Sequence, residues 1–475
     1  MISSRHSGIA DDKYMAGVVG DNLSRDELLA LVQTLLERIA VLERELAAAR
    51  KNSSNSSKPP SSDITQPPPP GGGQSKRKIG GQPHHPKHER SGFGPDQVDQ
   101  VHEHRLSRCP DCGGALASSR EAPKVIQQVE LVEKPIRVDE HRAHAHWCRR
   151  CRRLHYARLP SEIEAGGLLG PRLKALVAYL KSACHASYST TCQFLQSVLG
   201  LTVSRGYLAK VIRKVSGILK DPYDELRACV PREKKLNVDE TGHKENGRRP
   251  WTWCFRARDF TLYRIADSRG ADILLKTLGA DFGGILGCDY FSAYRKYVKD
   301  CDVRVQFCMA HLIREVKFLT TLSDRATRNY GNRLLDALQR LFHIIHRRDK
   351  MSEPRWVWRL CDQRERILDI ARTGVPATRE ARNLAERFRR HGDAYFEFIL
   401  SPQIDPTNNR AEQAMRFVVI DRRITQGTRG QTGRHWCERA WTVLATCAQQ
   451  SRSAFDYFLL AIQHRLAGQP IPSLV

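Results

Sequence analysis

Beyond Pro231 the sequence changes period, and this change constrains the fold more than any other feature. Upstream, apolar residues recur at helical spacing; downstream they alternate, as in half-buried strands. Lys235 to His243 reads as a strand, Glu245-Asn246-Gly247-Arg248 as a hairpin turn with Asn-Gly at its centre, and Trp251 to Arg256 as the returning strand. A third strand is expected at Phe260 to Ala266 and a helix near Asp272 to Leu278. An apolar strand over 284–288 then runs into Asp289, and a fifth strand spans Val303 to Cys308.

A three-stranded meander, a helix and two further strands is the order of a ribonuclease-H-like sheet. Such a sheet carries one acid on its first strand and another at the end of its fourth. Asp239 and Asp289 occupy those places. A third acid is needed on a helix that returns across the sheet, and the segment from Thr407 to Arg416 supplies Glu412. Asn409 followed three residues later by Glu412 also fits a capping pair, which would make the glutamate structural. Three carboxylates on convergent elements suit phosphodiester cleavage. In-line attack builds charge on the attacking and leaving oxygens, and two divalent cations about 3.5–4 Å apart stabilise both. Mg²⁺, or Mn²⁺, is therefore expected at Asp239, Asp289 and Glu412, because hard cations take oxygen ligands.

The segments before the sheet divide into four. In 1–50, Leu28, Val32, Leu35, Ile39, Leu42, Leu46 and Ala49 repeat at alternating steps of four and three, a heptad seam that predicts a coiled-coil helix and a homodimer or higher multimer. A single amphipathic helix packed on its own chain is the alternative. Residues 51–95 are rich in Pro, Ser, Gly and basic residues, with too few apolar side chains to offset the entropy of ordering, and predict a linker. In 96–160, Cys109-Pro-Asp-Cys112 and Cys148-Arg-Arg-Cys151 flank a β-rich stretch around Val125 to Val138. Two such knuckles predict a zinc ribbon with structural Zn²⁺ on Cys109, Cys112, Cys148 and Cys151. His146 or His155 could replace one thiolate. Residues 161–230 have helical period, broken at 200–204, with Ser204 placed to cap the next helix. This predicts a helix-turn-helix whose second helix presents Arg205, Lys210, Arg213 and Lys214 to DNA; an ordinary helical hairpin fits nearly as well.

Downstream, 231–430 is the expected catalytic region, interrupted at about 312–400 by an Arg-rich helical insertion, and 431–475 is a C-terminal helical segment. The overall expectation is a multidomain α/β protein. A formal charge of +25, from 77 basic and 52 acidic side chains, favours a polyanionic partner, with nucleic acid first. No apolar run approaches the roughly 18 residues of a spanning helix, and the start lacks a signal-peptide pattern, so a cytoplasmic protein with no membrane partner is expected.

Several motifs in fixed order carry a family resemblance over nearly the whole chain. They are the heptad helix, the run from Asn55 to Asp63, the paired knuckles, Val238-Asp239-Glu240-Thr241, Gly287-Cys288-Asp289-Tyr290, Cys308-Met309-Ala310-His311 and Asn408-Asn409-Arg410-Ala411-Glu412. In these the chain resembles the transposases of the insertion sequence 66 family. The resemblance implies a DDE transposase acting on double-stranded DNA, both terminal inverted repeats and target, with water and then a DNA 3′-hydroxyl as nucleophiles. It also implies accessory proteins from the same element. Two departures stand out: Gln413 occupies a position where the family usually has arginine, and the stretch after His311 reads Leu312-Ile313-Arg314-Glu315. Arg314, Arg410 and Arg416 are then the expected phosphate contacts. Cys308 and His311, with Asn408 and Asn409, are expected to position substrate; core packing is the other reading of the first two. A catalytically silent DNA-binding regulator and a ribonuclease-H-like nuclease are the competing functions.

Overall fold

The computed structural model describes residues 24–49, 93–108, 110–115, 123, 125–129, 131–132, 135–160, 163–164, 167–401 and 403–475. They divide into two compact units. One takes in residues up to 69, 160–192 and 203–475, the other 70–159 and 193–202. The linker expected over 51–95 lies outside the described residues except for its last three.

Helix α1 (Arg25–Ala49) begins earlier than the heptad pattern, at a reciprocal cap. The Glu27 N–H donates to Ser24 Oγ at 3.3 Å, and the Ser24 N–H donates to Glu27 Oε2 at 2.8 Å. Leu28, Val32, Leu35, Ile39, Leu42 and Leu46 are each about half exposed, so the seam lies open along the helix.

In the smaller unit, β1 (Ala145–Cys148) and β2 (Arg153–Tyr156) form an antiparallel hairpin that pairs His146 with His155 and Cys148 with Arg153. The turn between them holds Cys151. The described residues of 125–138 form no strand, contrary to expectation. Val125, Ile126, Val129, Leu131, Val132 and Val138 are all strongly exposed. β-branched composition describes fit to a pleated, half-buried surface, whereas these side chains are exposed.

The larger unit is built on β3 (Lys235–Gly242), β4 (Trp251–Arg256), β5 (Thr261–Ala266), β6 (Ile285–Cys288) and β7 (Arg304–Phe307), in the spatial order β5-β4-β3-β6-β7. The first three strands are antiparallel; β6 runs parallel to β3, and β7 to β6. Asn246 and Gly247 take φ of 41° and 84°, the left-handed pair that a two-residue hairpin turn demands. Parallel strands need a crossover, and α6 (Ala271–Leu278) and α7 (Ser292–Cys301) supply the two.

After β7 come α8 (Met309–Leu319), α9 (Arg325–Ile345), α10 (Glu353–Arg372), α11 (Arg379–His391) and α12 (Glu397–Leu400), the helical insertion expected from the sequence. The chain then returns through α13 (Asn409–Thr425), which crosses β3 and β4, and α14 (Gln431–Gln449), which packs on β5. Helix α15 (Ala454–Leu466) ends the order. Cys254, Tyr263 and Ile265 from the sheet, Met415 and Val418 from α13 and Trp441 from α14 form one buried cluster. Each large side chain removed from water there contributes roughly 1.5–3 kcal/mol, which clamps α13 onto the strands.

Upstream lie α2 (Pro171–Ser182), α3 (Tyr188–Leu199), α4 (Arg205–Ile218) and α5 (Lys220–Cys229). Ser204 caps α4, its Oγ accepting the Tyr207 N–H at 3.1 Å. The helix buries Leu208, Val211, Ile212 and Val215, and packs on α2, α14 and α15. Among the described residues no helix is long and apolar enough to cross a membrane.

Candidate active site

Strand period decides which acids on β3 can act together. Side chains alternate between faces, so Leu236, Val238 and Glu240 point into the core while Asn237, Asp239 and Thr241 are half-buried beneath α13. Thr241 meets Arg422 of that helix at 3.2 Å, and Asn237 meets Asn408 at its start. The parallel register pairs Asn237 with Gly287. Continued by two residues, it sets Asp289, just past β6, alongside Asp239 on strands about 4.8 Å apart. Asp289 Oδ1 accepts the Phe291 N–H at 2.9 Å, which fixes the carboxylate at the strand end.

Glu412 lies in the first turn of α13 and is held over this pair by the residue that precedes the helix. Asn408 is buried, donates from Nδ2 to the Val238 carbonyl at 2.8 Å, and accepts from Asn237 Nδ2 at 2.9 Å. Its own N–H donates to Cys308 Sγ at 3.1 Å. The capping pair that the sequence allows between Asn409 and Glu412 does not form. The helix begins at Asn409 with no side-chain cap bond, and Asn409 is exposed. Glu412 is thus free of the structural task that would have explained it away.

Asp239 feels the acids around it. Burial, followed by the charges of Glu240, Asp289 and Glu412, pushes the Asp239 carboxyl well above its ordinary range. Burial also raises Asp289, against the Phe291 N–H and the Arg269 charge. Glu412 Oε1 is buried with no hydrogen-bond partner; His311 Nδ1 is 3.4 Å away and Arg314 Nη2 3.5 Å away. The imidazole adds no positive charge, because burial and then Arg314 and Arg387 lower its pKa to about 4. Crowded carboxylates with an orphaned oxygen are what a divalent cation relieves. Asp239, Asp289 and Glu412 offer oxygen donors of the kind Mg²⁺ or Mn²⁺ takes, though their ligand atoms do not all lie within 4.8 Å of one another.

Beneath them lies a network that sequence reasoning missed. The Glu240 side chain is 1% exposed. It receives Arg269 Nε at 2.9 Å and Nη2 at 2.7 Å, and the Tyr294 hydroxyl donates to its other oxygen. Arg269 is held between the rings of Trp251, 4.4 Å from its guanidinium carbon, and Phe291, at 3.8 Å. Burial and the Asp289 charge still raise Glu240 to about 7. Strand alternation was the available signal: of two adjacent acids on a central strand, one must face inward and need a partner. Tyr290, next to Asp289, is flanked by Arg387 at 4.0 Å and Arg295 at 4.6 Å. Arg387, from the insertion, also pairs with Glu315, and so links α11 and α8 to the site.

The expected DNA contacts fall in two groups. Arg205, Lys210, Arg213 and Lys214 are all exposed on α4, and Arg416 is exposed on α13. Arg410 pairs with Asp405 at 2.8 Å and remains half exposed. Arg314 instead lies inside the site, 20% exposed, within 3.1 Å of His311 Nδ1. Cys308 is buried at the start of α8. Of the four knuckle thiols, Cys109 lies outside the described residues. Backbone N–H groups of Cys151 and Arg150 hold the Cys148 thiol below its usual range, and Cys151 Sγ is 3.2 Å from His155 Nε2.

Residues 166–435, more than half of the chain, match the family model described as Transposase IS66 family. Residues 16–91 match a model described as a family of unknown function (DUF6444). Two similar proteins come from Sinorhizobium fredii (strain NBRC 101917 / NGR234). "Uncharacterized protein y4hP" is 23% identical over 399 residues, covering 77% of this chain and 72% of its own. "Uncharacterized protein y4jD" is 26% identical over 255 residues, covering 47% and 48%.

Proposed function

This chain belongs to the transposase IS66 family, and we propose that it cuts and joins DNA through a metal-dependent DDE site on a ribonuclease-H-like sheet. The observation that carries the proposal is the placement of Asp239, Asp289 and Glu412 on three separate elements, where burial and then the charges of Glu240, Asp289 and Glu412 raise the Asp239 carboxyl. The strand order β5-β4-β3-β6-β7, with its antiparallel meander and two parallel additions, supports the sheet reading.

Bound Mg²⁺ or Mn²⁺ supplies charge stabilisation for the attacking and leaving oxygens and lowers the pKa of attacking water. The chain's own part is positional. Asn408 fixes the height of Glu412 over β3, the Phe291 N–H fixes Asp289, and the Glu240–Arg269–Tyr294 network stiffens the floor. His311, neutral at physiological pH, is suited to donate or accept a hydrogen bond at the substrate beside Glu412. The exposed basic face of α4, with Arg410 and Arg416, tracks the phosphates of the terminal inverted repeats and target, while Arg314 meets a phosphate only at the site itself. Zn²⁺ on Cys109, Cys112, Cys148 and Cys151 is structural, and the open seam of α1 pairs copies of the chain, which joining two DNA ends requires. Accessory proteins of the same element complete the assembly, which works in the cytoplasm.

The test is Mg²⁺-dependent 3′-end nicking of a terminal-repeat duplex by the full chain, beside Asp239→Asn, Asp289→Asn and Glu412→Gln variants that still bind the duplex. Nicking is expected to disappear in all three. Persistent nicking in any one removes that residue from the site.

A further inference from the structure

Cys308, His311 and Glu412 bring a sulfur, an imidazole nitrogen and a carboxylate oxygen within 4.8 Å of one another. Among the described residues no other trio of histidine, cysteine and acidic ligands converges in this way. The donors differ in kind from the three catalytic oxygens. Hard oxygens suit Mg²⁺, whereas thiolate with imidazole selects a borderline-soft ion of the zinc class.

The local geometry is that of a ligand set. Two residues separate Cys308 from His311 at the start of α8. The sulfur receives the Asn408 N–H at 3.1 Å, the kind of bond that supports a metal-bound thiolate. His311 Nδ1 and Glu412 Oε1 are 3.4 Å apart; two ligands on a tetrahedral ion at 2.0–2.1 Å stand roughly 3.3 Å apart. Glu412 Oε1 is the buried oxygen with no hydrogen-bond partner. Arg314 Nη2, 3.5 Å from the same oxygen, is the cation already stationed at this spot.

We propose that Cys308, His311 and Glu412 form a site for a zinc-class divalent ion, and that filling it draws Glu412 away from Asp239 and Asp289 and silences the enzyme. Thiolate and carboxylate balance the ion's charge, and water completes a four-coordinate sphere. The silencing clause rests on the reading of Glu412 as the third catalytic acid; the site itself does not.

Full-length protein titrated with Co²⁺, a spectroscopic stand-in for zinc, tests the site through thiolate charge-transfer and d–d absorption. The paired knuckles absorb too, but equally in every variant, so differences from the parent isolate the new site. Cys308→Ser and His311→Ala are each expected to lose one cobalt equivalent, and Arg314→Gln to bind that equivalent more tightly. Identical titrations for the parent and Cys308→Ser overturn the site. If Cys308→Ser fails to fold, unchanged cobalt binding in both His311→Ala and Arg314→Gln overturns it instead. In the nicking assay, stoichiometric Zn²⁺ is expected to suppress the Mg²⁺-supported reaction of the parent. Undiminished nicking with the site filled overturns the silencing. Asp239→Asn separates the two ideas: it is expected to lose nicking and keep the cobalt band, and nicking that survives there sinks the DDE reading while the cobalt site stands.

Discussion

Asn408 Nδ2 donates to the carbonyl of Val238 at 2.8 Å, which ties the helix bearing Glu412 to the strand at the residue before Asp239. Distance along the chain makes the bond consequential, because the whole helical insertion lies between the two residues. The height of Glu412 over Asp239 therefore depends on this buried amide, together with the cluster around Trp441, and not on local chain geometry.

Replacing Asn408 with alanine leaves the Val238 carbonyl and Asn237 Nδ2 buried without their partner. Each unsatisfied group costs about 1–3 kcal/mol, so a loss of about 2–6 kcal/mol is expected in urea unfolding. Nicking should fall at temperatures where the variant is still folded, since Glu412 loses its anchor. Gly287→Ala probes the same link from the other side. A Cβ there would sit 2.6 Å from Asn237 Nδ2 and push the amide off Asn408, at roughly 1–3 kcal/mol. Wild-type stability in both variants would show that the link carries no load.

Glu240 predicts a pH dependence. Its carboxyl titrates at about 7 in the fold, above its ordinary 4.5. A group raised in the folded state contributes stability that is complete below the unfolded pKa and lost as pH rises through the folded one. Stability from this residue should therefore decline between about pH 4.5 and 7, by a few kcal/mol in order of magnitude. Glu240→Gln should flatten that part of the curve, because the amide keeps an acceptor for Arg269 and carries no charge. His243, lowered to about 4 mainly by burial, works in the opposite direction below pH 6.5, so the comparison must be variant against parent at each pH. Parallel curves for the two proteins would refute the assignment.

The exposed face of α4 predicts a salt effect. Each phosphate neutralised contributes about 0.9 to the slope of log affinity against log salt. Replacing Arg205, Lys210, Arg213 and Lys214 together with alanine should reduce that slope by about 3–4 on duplex DNA. The melting temperature should move little, since all four side chains are exposed. An unchanged slope would move the DNA path elsewhere.

The strands, the Asn-Gly turn and the returning helix were legible in the sequence, as were the places of the three candidate acids on them, because each depends on local chemistry. Alternation marks a strand, left-handed φ selects Asn-Gly, and a charged residue inside an apolar pattern is visible wherever it falls. The heptad seam and the start of α4 were readable for the same reason. Other features had no local trace. That Arg269 would thread between Trp251 and Phe291 to reach Glu240 depends on packing between distant residues. The exposed stretch around Val125 to Val138 has the composition of a strand, but composition cannot supply a partner to pair with.

Most of all, the meeting of Cys308 and His311 with Glu412 belongs to tertiary structure. Periodicity determined which residues could face one way along each element. Only the docking of α13 across β3, held by Asn408 and by the cluster around Trp441, decided which of those faces met, because free energy from burial and hydrogen bonding is settled between elements and not within them.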